Sequence, residues 1–261
     1  MKIGIKASYM DLLDKQKIKN LHKEKIKYIE LKQIKQPLNK DILDQIKNEF
    51  EYSLHAPFYN MKISLINFLN YPKIAKKEIE LSLKVVEELE AKEFIMHAGS
   101  FFRGYVRLTN GFDKKPGLNL FLDKFVKTFG TILKEANQSG IKVVIENSYP
   151  CFLLGRPSDI IYIQNKLPFL GFCLDIGHAE IYDQTEKLLE FKIDHIHISD
   201  NNKKSDQHLK LGEGSINFRE ILKKLKEKGY NGKIIPECRS LENSIKSYKF
   251  LNLLLKESKE F

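Results

Sequence analysis

The sequence predicts an α/β fold, a single (β/α)8 TIM barrel spanning residues 1–261. Two patterns and one absence carry this reading. Eight short β-branched or apolar runs recur along the chain, longer stretches with helical periodicity separate them, and no Gly-rich phosphate-binding turn follows the first run. A strict strand and helix alternation closes most simply as a barrel, and without that turn an open dinucleotide-binding sheet loses support. No linker, repeat or low-complexity segment interrupts the alternation.

The eight runs are KIGIK (2–6), KYIEL (27–31), EYSLH (51–55), EFIMH (93–97), KVVIE (142–146), GFCLD (171–175), DHIHIS (194–199) and KIIPE (233–237). Each has the length of a buried strand. Between them, Ile79, Leu83 and Val86 share one helical face, as do Phe121, Phe125, Phe129 and Ile132, and Phe218, Ile221, Leu222 and Leu225. The last of these helices carries its own punctuation, with Asn217 as N-cap, Glu220 three residues on, and Gly229 after the final periodic position. Ile245, Tyr248, Leu251 and Leu255 predict a closing helix. The stretch 99–117, after the fourth strand, is the one long insertion.

With 261 residues, 42% hydrophobic and 30% charged, the chain has apolar material for a large core, which excludes a disordered or mini-protein class. No apolar run approaches the roughly 20 residues that span a bilayer, and MKIGIKASYM contains no signal-type apolar stretch. A soluble, unprocessed chain with no membrane partner is expected. Cys151, Cys173 and Cys238 are odd in number and far apart, so neither a disulfide framework nor a thiolate zinc site is indicated, and a reducing cytoplasm is the expected location. The net charge of +10 suits an anionic partner, nucleic acid or a sugar phosphate. Lysines spread over nearly every helix fit a merely solvated surface equally well.

In such a barrel the carboxyl ends of the strands and the loops after them build the active-site face. Six of the eight runs end in a metal-type ligand: His55, His97, Glu146, Asp175, His197 and Glu237. The loops add His178 in DIGH, and Asp206 and His208 in SDQH. Imidazole and carboxylate without thiolate suit a catalytic divalent ion, zinc, manganese or iron. Five of the seven histidines fall at these positions, and burying them with so many carboxylates costs on the order of several kcal/mol unless a cation joins them. His22 reads as a surface residue. His195, two residues before His197, points to the same strand face and belongs to a layer behind the ligands. Glu30 ends the second strand with its direction left open, and Cys173 and Cys238 read as small buried hydrophobes. No Ser/His/Asp or Cys/His spacing suggests a covalent nucleophile.

The set SLHAPF, MHAGS, IENS, LDIGH, HIHISD with SDQHLKLGEG, and PEC resembles the superfamily of endonuclease IV (AP endonuclease family 2) and the xylose isomerase-like sugar isomerases and epimerases. The endonuclease IV pattern implies that His55 and His97 hold one zinc, that Glu146 bridges it to a second held by Asp175, His197 and Glu237, and that His178, Asp206 and His208 hold a third. Zinc, up to three ions, is then the cofactor, with manganese or another divalent ion as an alternative. The implied reaction is hydrolysis of damaged double-stranded DNA on the 5′ side of an abasic site, the flipped-out sugar entering the pocket. The isomerase pattern implies one ion held by Glu146, Asp175, His197 and Glu237. In that pattern Glu146 and Glu237 also serve as the catalytic acid/base pair on a sugar or sugar phosphate, His178 binds substrate, and His55 and His97 line the pocket. The nuclease reading uses all nine residues and is preferred; a barrel that binds without turnover is the least favoured. This chain has DIGH and HISDNN where endonuclease IV proteins carry D-T-x-H and H-x-N-D-S-K, a departure that bears on DNA recognition more than on metal binding.

Arginine placement bears on the substrate. Arg103 and Arg107 follow the fourth strand, Arg156 the fifth and Arg239 the eighth, leaving only Arg219 on a helix. Guanidinium groups grip phosphate bidentately, so a phosphorylated substrate is expected. Phe101, Phe102 and Tyr105 interleave with two of these arginines, which suits stacking on a base or a lid over a sugar. Phe58 is placed to wedge toward DNA or to pack over a sugar. No protein partner is inferred.

Overall fold

The computed structural model describes residues 1–32, 40–57, 71–99, 118–148 and 154–257. Phe58, Phe101, Phe102, Arg103, Tyr105, Arg107 and Cys151 lie outside them, as does nearly all of the predicted insertion. Among the described residues, nine parallel strands form one sheet: β1 (Lys2–Ile3), β2 (Ile5–Ala7), β3 (Tyr28–Leu31), β4 (Glu51–His55), β5 (Glu93–His97), β6 (Lys142–Glu146), β7 (Gly171–Asp175), β8 (His195–Ile198) and β9 (Lys233–Pro236). Each pairs with its sequence neighbour, except that β1 pairs with β9 while β2 pairs with β3. Since β1 and β2 are consecutive, this arrangement closes the sheet into the predicted barrel.

The predicted first strand, 2–6, is therefore two short segments joined at Gly4. Gly4 donates its N–H to the carbonyl of Ile234 at 3.0 Å. A Cβ here would lie 2.6 Å from Ile235 Cδ1 and 2.7 Å from the carbonyl oxygen of Tyr28, so backbone crowds the position from one side and a core side chain from the other. Only glycine lets the two neighbouring strands approach so closely. Gly4→Ala is expected to destabilise the protein by about 1–3 kcal/mol through overpacking. The measurement is the denaturant midpoint, which should fall with the slope unchanged.

The principal helices on the outside are α2 (Lys15–Lys23), α4 (Pro72–Glu88), α5 (Leu118–Gln138), α6 (Pro157–Lys166), α9 (Phe218–Glu227) and α10 (Leu241–Glu257). They bury the apolar faces read from the sequence: Ile79, Leu83 and Val86 on α4, Phe125 and Phe129 on α5, and Ile221, Leu222 and Leu225 on α9. Helix α9 begins as predicted, the Asn217 side chain accepting the Glu220 N–H, and Gly229 follows it at φ +71°. Shorter helices α1 (Tyr9–Leu12), α3 (Lys40–Ile46), α7 (Ile176–Ile181) and α8 (Thr185–Leu188) complete the described set. Among the described residues no helix is long and apolar enough to cross a membrane.

Strand alternation stacks the barrel interior in layers. Ile95, Val144 and Cys173 form a small buried cluster, each two residues before His97, Glu146 and Asp175 and hence on the same face. They are an apolar plug beneath the polar layer, which confirms Cys173 as a small buried hydrophobe. His195 continues that layer on β8, opposite Cys173 in the pairing register.

Candidate metal centre

All nine ligand-type residues predicted from the sequence come together at the carboxyl ends of the strands. His55, His97, Glu146 and Asp175 end β4, β5, β6 and β7; His197 is the penultimate residue of β8, and Glu237 lies one residue past β9. Their donor atoms fall into three groups, each with all ligand atoms within 4.8 Å of one another: His55, His97 and Glu146; Glu146, Asp175, His197 and Glu237; and His178, Asp206 and His208. Glu146 joins the first two. Its Oε2 lies 3.1 Å from His55 Nε2 and 3.2 Å from His97 Nε2, while its Oε1 lies 3.2 Å from His197 Nδ1. His178 connects the third, with Nδ1 3.8 Å from both Glu146 Oε1 and Asp175 Oδ2, and Nε2 3.5 Å from Asp206 Oδ2.

Backbone and carboxylate acceptors orient the imidazoles. His55 Nδ1 lies 2.8 Å from the carbonyl of Ala56, His178 Nδ1 3.1 Å from that of Asn147, and His208 Nδ1 2.9 Å from that of Glu237. Donation of Nδ1–H to these oxygens turns each Nε2 toward a carboxylate, Glu146 for His55 and Asp206 for His178 and His208. His197 is turned the other way: its Nε2 donates to Glu30 at 3.0 Å, so Nδ1 faces Glu146 and Glu237, each at 3.2 Å. Fixing the tautomer through the second nitrogen is how proteins aim ligating histidines. His195 stands behind, between Glu30 at 3.1 Å and Glu93 at 3.2 Å, in the supporting layer expected for it. Glu30, His195 and His197 also lie within ligand distance of one another, but Lys6 Nζ sits 3.5 Å from Glu30 Oε1 and already supplies the cation there.

The burial and charge of the group Glu146, Asp175, His197 and Glu237 suit a divalent ion. Glu146, Asp175 and His197 are fully buried. Among the described residues, Glu146 Oε1, Asp175 Oδ2 and His197 Nδ1 have no hydrogen-bond partner although they face one another, an arrangement that suits atoms sharing an ion. Burial pushes the Glu146 carboxyl up, but the His97 and His197 imidazoles outweigh it and hold it well below the usual carboxylate range. Glu237 is likewise held down against burial, first by Lys6 and then by His197. Burial lowers His97 to about 3, leaving a neutral imidazole ready to ligate. His208 is raised against burial to about 9, mainly by its hydrogen bond to Asp206 at 2.8 Å.

Beneath the centre, Glu93 carries a testable pH dependence. Burial raises its pKa, but the hydrogen bond to His195, that group's charge and Lys233 lower it to about 2. A carboxyl depressed on folding contributes stability above its unfolded pKa of about 4.3 and loses it as pH falls toward the folded value. Glu93→Gln should therefore flatten the loss of stability between about pH 4.3 and 2, read by denaturant unfolding across that range.

Three positioning residues were not singled out by the sequence reading. Lys6, buried on β2, binds Glu237 Oε1 and bridges to Glu30. Asn147 locks β6 to β7, its side chain accepting the Asp175 N–H at 2.7 Å and donating to the Asp175 carbonyl at 3.0 Å. Asp200, fully buried after β8, accepts the N–H groups of Asn201, Gly212, Gly214 and Ile216 and so clasps the loop that carries Asp206 and His208. A Cβ on Gly214 would lie 2.2 Å from Asp200 Oδ1, which explains the glycine in GEG. His208 itself is held at φ +46°, a strained conformation that this loop imposes.

The arginines divide. Arg156 precedes α6 and pairs with Asp159 at 2.9 Å, outside the three groups. Arg219 pairs with Glu257 across the surface, and Arg239 is exposed after β9. His22 is exposed, as expected, and pairs with Glu49.

The family model for the xylose isomerase-like TIM barrel matches residues 18–254. An uncharacterized protein of Methanocaldococcus jannaschii, MJ1311, is 31% identical over 234 residues, covering 82% of this chain and 74% of its own length. The crystal structure of a D-tagatose 3-epimerase-like protein superposes with a TM-score of 0.80 at 27% identity, covering 100% of this chain and 99% of that one. The AP endonuclease, family 2, of Brucella melitensis superposes with a TM-score of 0.70 at 13% identity, covering 98% of each chain, a likeness of fold.

Proposed function

The chain belongs to the xylose isomerase-like TIM barrel family, and from that premise we propose that it is a metal-dependent phosphodiesterase that cuts damaged DNA on the 5′ side of abasic sites. The observation that carries this reading is the joining of nine ligand-type side chains into three contiguous groups through Glu146 and His178. A single-ion sugar epimerase uses Glu146, Asp175, His197 and Glu237 and leaves His55, His97, Asp206 and His208 without a metal role.

Zinc or another divalent ion in these groups would neutralise a phosphate and activate water at neutral pH. The chain's own residues prepare the site for that chemistry. The two oxygens of Glu146 face different groups, so this carboxylate would help to hold an ion in either of them. Lys6 takes one oxygen of Glu237, so that only Oε2 faces His197 and the centre. The N–H of His178 holds Asp175 Oδ1 at 2.6 Å and leaves Oδ2 for a ligand. The imidazoles enter neutral or lose their proton on metal loading.

The test is a nicking assay with the full chain on a duplex carrying one tetrahydrofuran abasic analogue, with added zinc or manganese. This analogue cannot undergo β-elimination, so a nick is hydrolytic. Cleavage 5′ to the analogue supports the proposal. The likeness to the D-tagatose 3-epimerase-like protein favours a second reading, epimerisation of a sugar or sugar phosphate with Glu146 and Glu237 exchanging the proton. Intact duplex together with turnover of a ketose or ketose-phosphate panel would replace the first reading by the second.

A further inference from the structure

Beside the metal centre, on the same barrel rim, a groove of about 770 Å³ opens between the segments after β2 and β3 and the head of α10. Its lining includes Ser8, Lys17, Lys32, Arg239, Ser240 and Lys246. The acids in it are already engaged: Asp11 with Lys17 at 2.7 Å, Glu242 with Lys246 at 2.6 Å, and Glu24 with Lys249 at 2.7 Å. Lys32 and Arg239 are the groove cations without an acidic partner among the described residues.

Lys32 is half-buried, and among the described residues its Nζ donates to the carbonyl of Cys238, at 3.3 Å. Burial and the nearby charge of Lys6 both lower its pKa, so its ammonium is held where an incoming anion would relieve it. Cys238 separates Glu237, in the metal centre, from Arg239, which places the two cations at the edge of the reacting site rather than within it. The head of α10, where Ser240 Oγ accepts the Asn243 N–H, adds the positive end of a 17-residue helix to the same wall.

We infer that this groove is a phosphate-binding subsite in which Lys32 and Arg239 grip a phosphate of the substrate that does not react. Arg239 supplies planar bidentate donors and Lys32 a point charge, a pairing suited to the anionic oxygens of a tetrahedral phosphate group. The inference rests on the proposed action on phosphate-bearing substrates. The phosphate comes either from the strand flanking an abasic site or from a sugar phosphate.

The probe is phenylglyoxal modification of Arg239 in the zinc-loaded full chain, followed by peptide mass spectrometry. Inorganic phosphate should slow modification of Arg239 about tenfold at concentrations ten times its Kd, while Arg219 on α9 is unaffected. Sodium chloride at equal ionic strength should not protect. Lys32→Met should lose the protection and Lys32→Arg should keep it. Protection by ribose 5-phosphate but not ribose identifies a monoester; protection by an abasic duplex but not ribose 5-phosphate identifies a strand phosphate. If no phosphate compound protects Arg239, or if Lys32→Met is protected like the wild type, the subsite is refuted. Phosphate protection in a protein that never nicks DNA leaves the subsite standing and removes the nuclease reading.

Discussion

Glu146→Gln is expected to abolish turnover, a loss of at least the roughly hundred- to thousandfold that removing one electrostatic contributor from a catalytic site costs. The expectation follows from the carboxylate's double engagement. One oxygen serves His55 and His97 and the other His197, so a single neutral amide would weaken the hold on an ion in either group. The amide also turns an N–H₂ donor toward groups arranged to share a cation, while its volume is almost unchanged. Circular dichroism of the variant should therefore match the wild type while nicking and metal content both fall. Full turnover in Glu146→Gln would remove this centre from any mechanism, nuclease or epimerase.

The second large effect concerns stability. Lys6 is the ammonium in contact with Glu30 and Glu237 in a layer that also holds Glu146 and Asp175. Replacing it with methionine keeps the apolar stem and leaves the two carboxylates to the histidines alone, an imbalance that costs about 3–5 kcal/mol when one partner of a buried pair is removed. For a chain of this size that corresponds to a Tm lower by roughly 10 °C in metal-free protein. Zinc should restore more stability to Lys6→Met than it adds to the wild type, because the ion takes over the neutralisation that the ammonium provided. Thermal scans of both proteins with chelator and with zinc measure this difference. An unchanged Tm without metal would mean that Lys6 does not balance these carboxylates.

The pattern that made the barrel legible also made the candidate ligands legible. Strand ends rich in His and Glu stand out against β-branched runs, and period-two alternation placed His195 behind His197 before any distance was known. Two kinds of residue escaped. Lys6 sits in KIGIK as an ordinary polar position, because its meaning depends on Glu237, 231 residues away, and pairing at that range leaves no local trace. Asp200 and Asn147 act through backbone N–H and carbonyl groups that the fold alone brings near, although the two glycines of LGEG were a signal of close backbone approach. The break at Gly4 was hidden for the same reason: only barrel closure makes the first run change neighbours. Glu30 was ambiguous from sequence because a strand end allows either direction, and its contact with His197 resolves it inward.

The account turns on how many ions the centre holds. Elemental analysis of the full chain, reconstituted with zinc and freed of excess by gel filtration, measures this directly, with the double variant Asp206→Ala, His208→Ala in parallel. Three zinc ions per chain in the wild type and two in the variant are the predicted result. One ion per chain in both proteins would contradict the three-ion centre and leave Glu146, Asp175, His197 and Glu237 as a single-ion site.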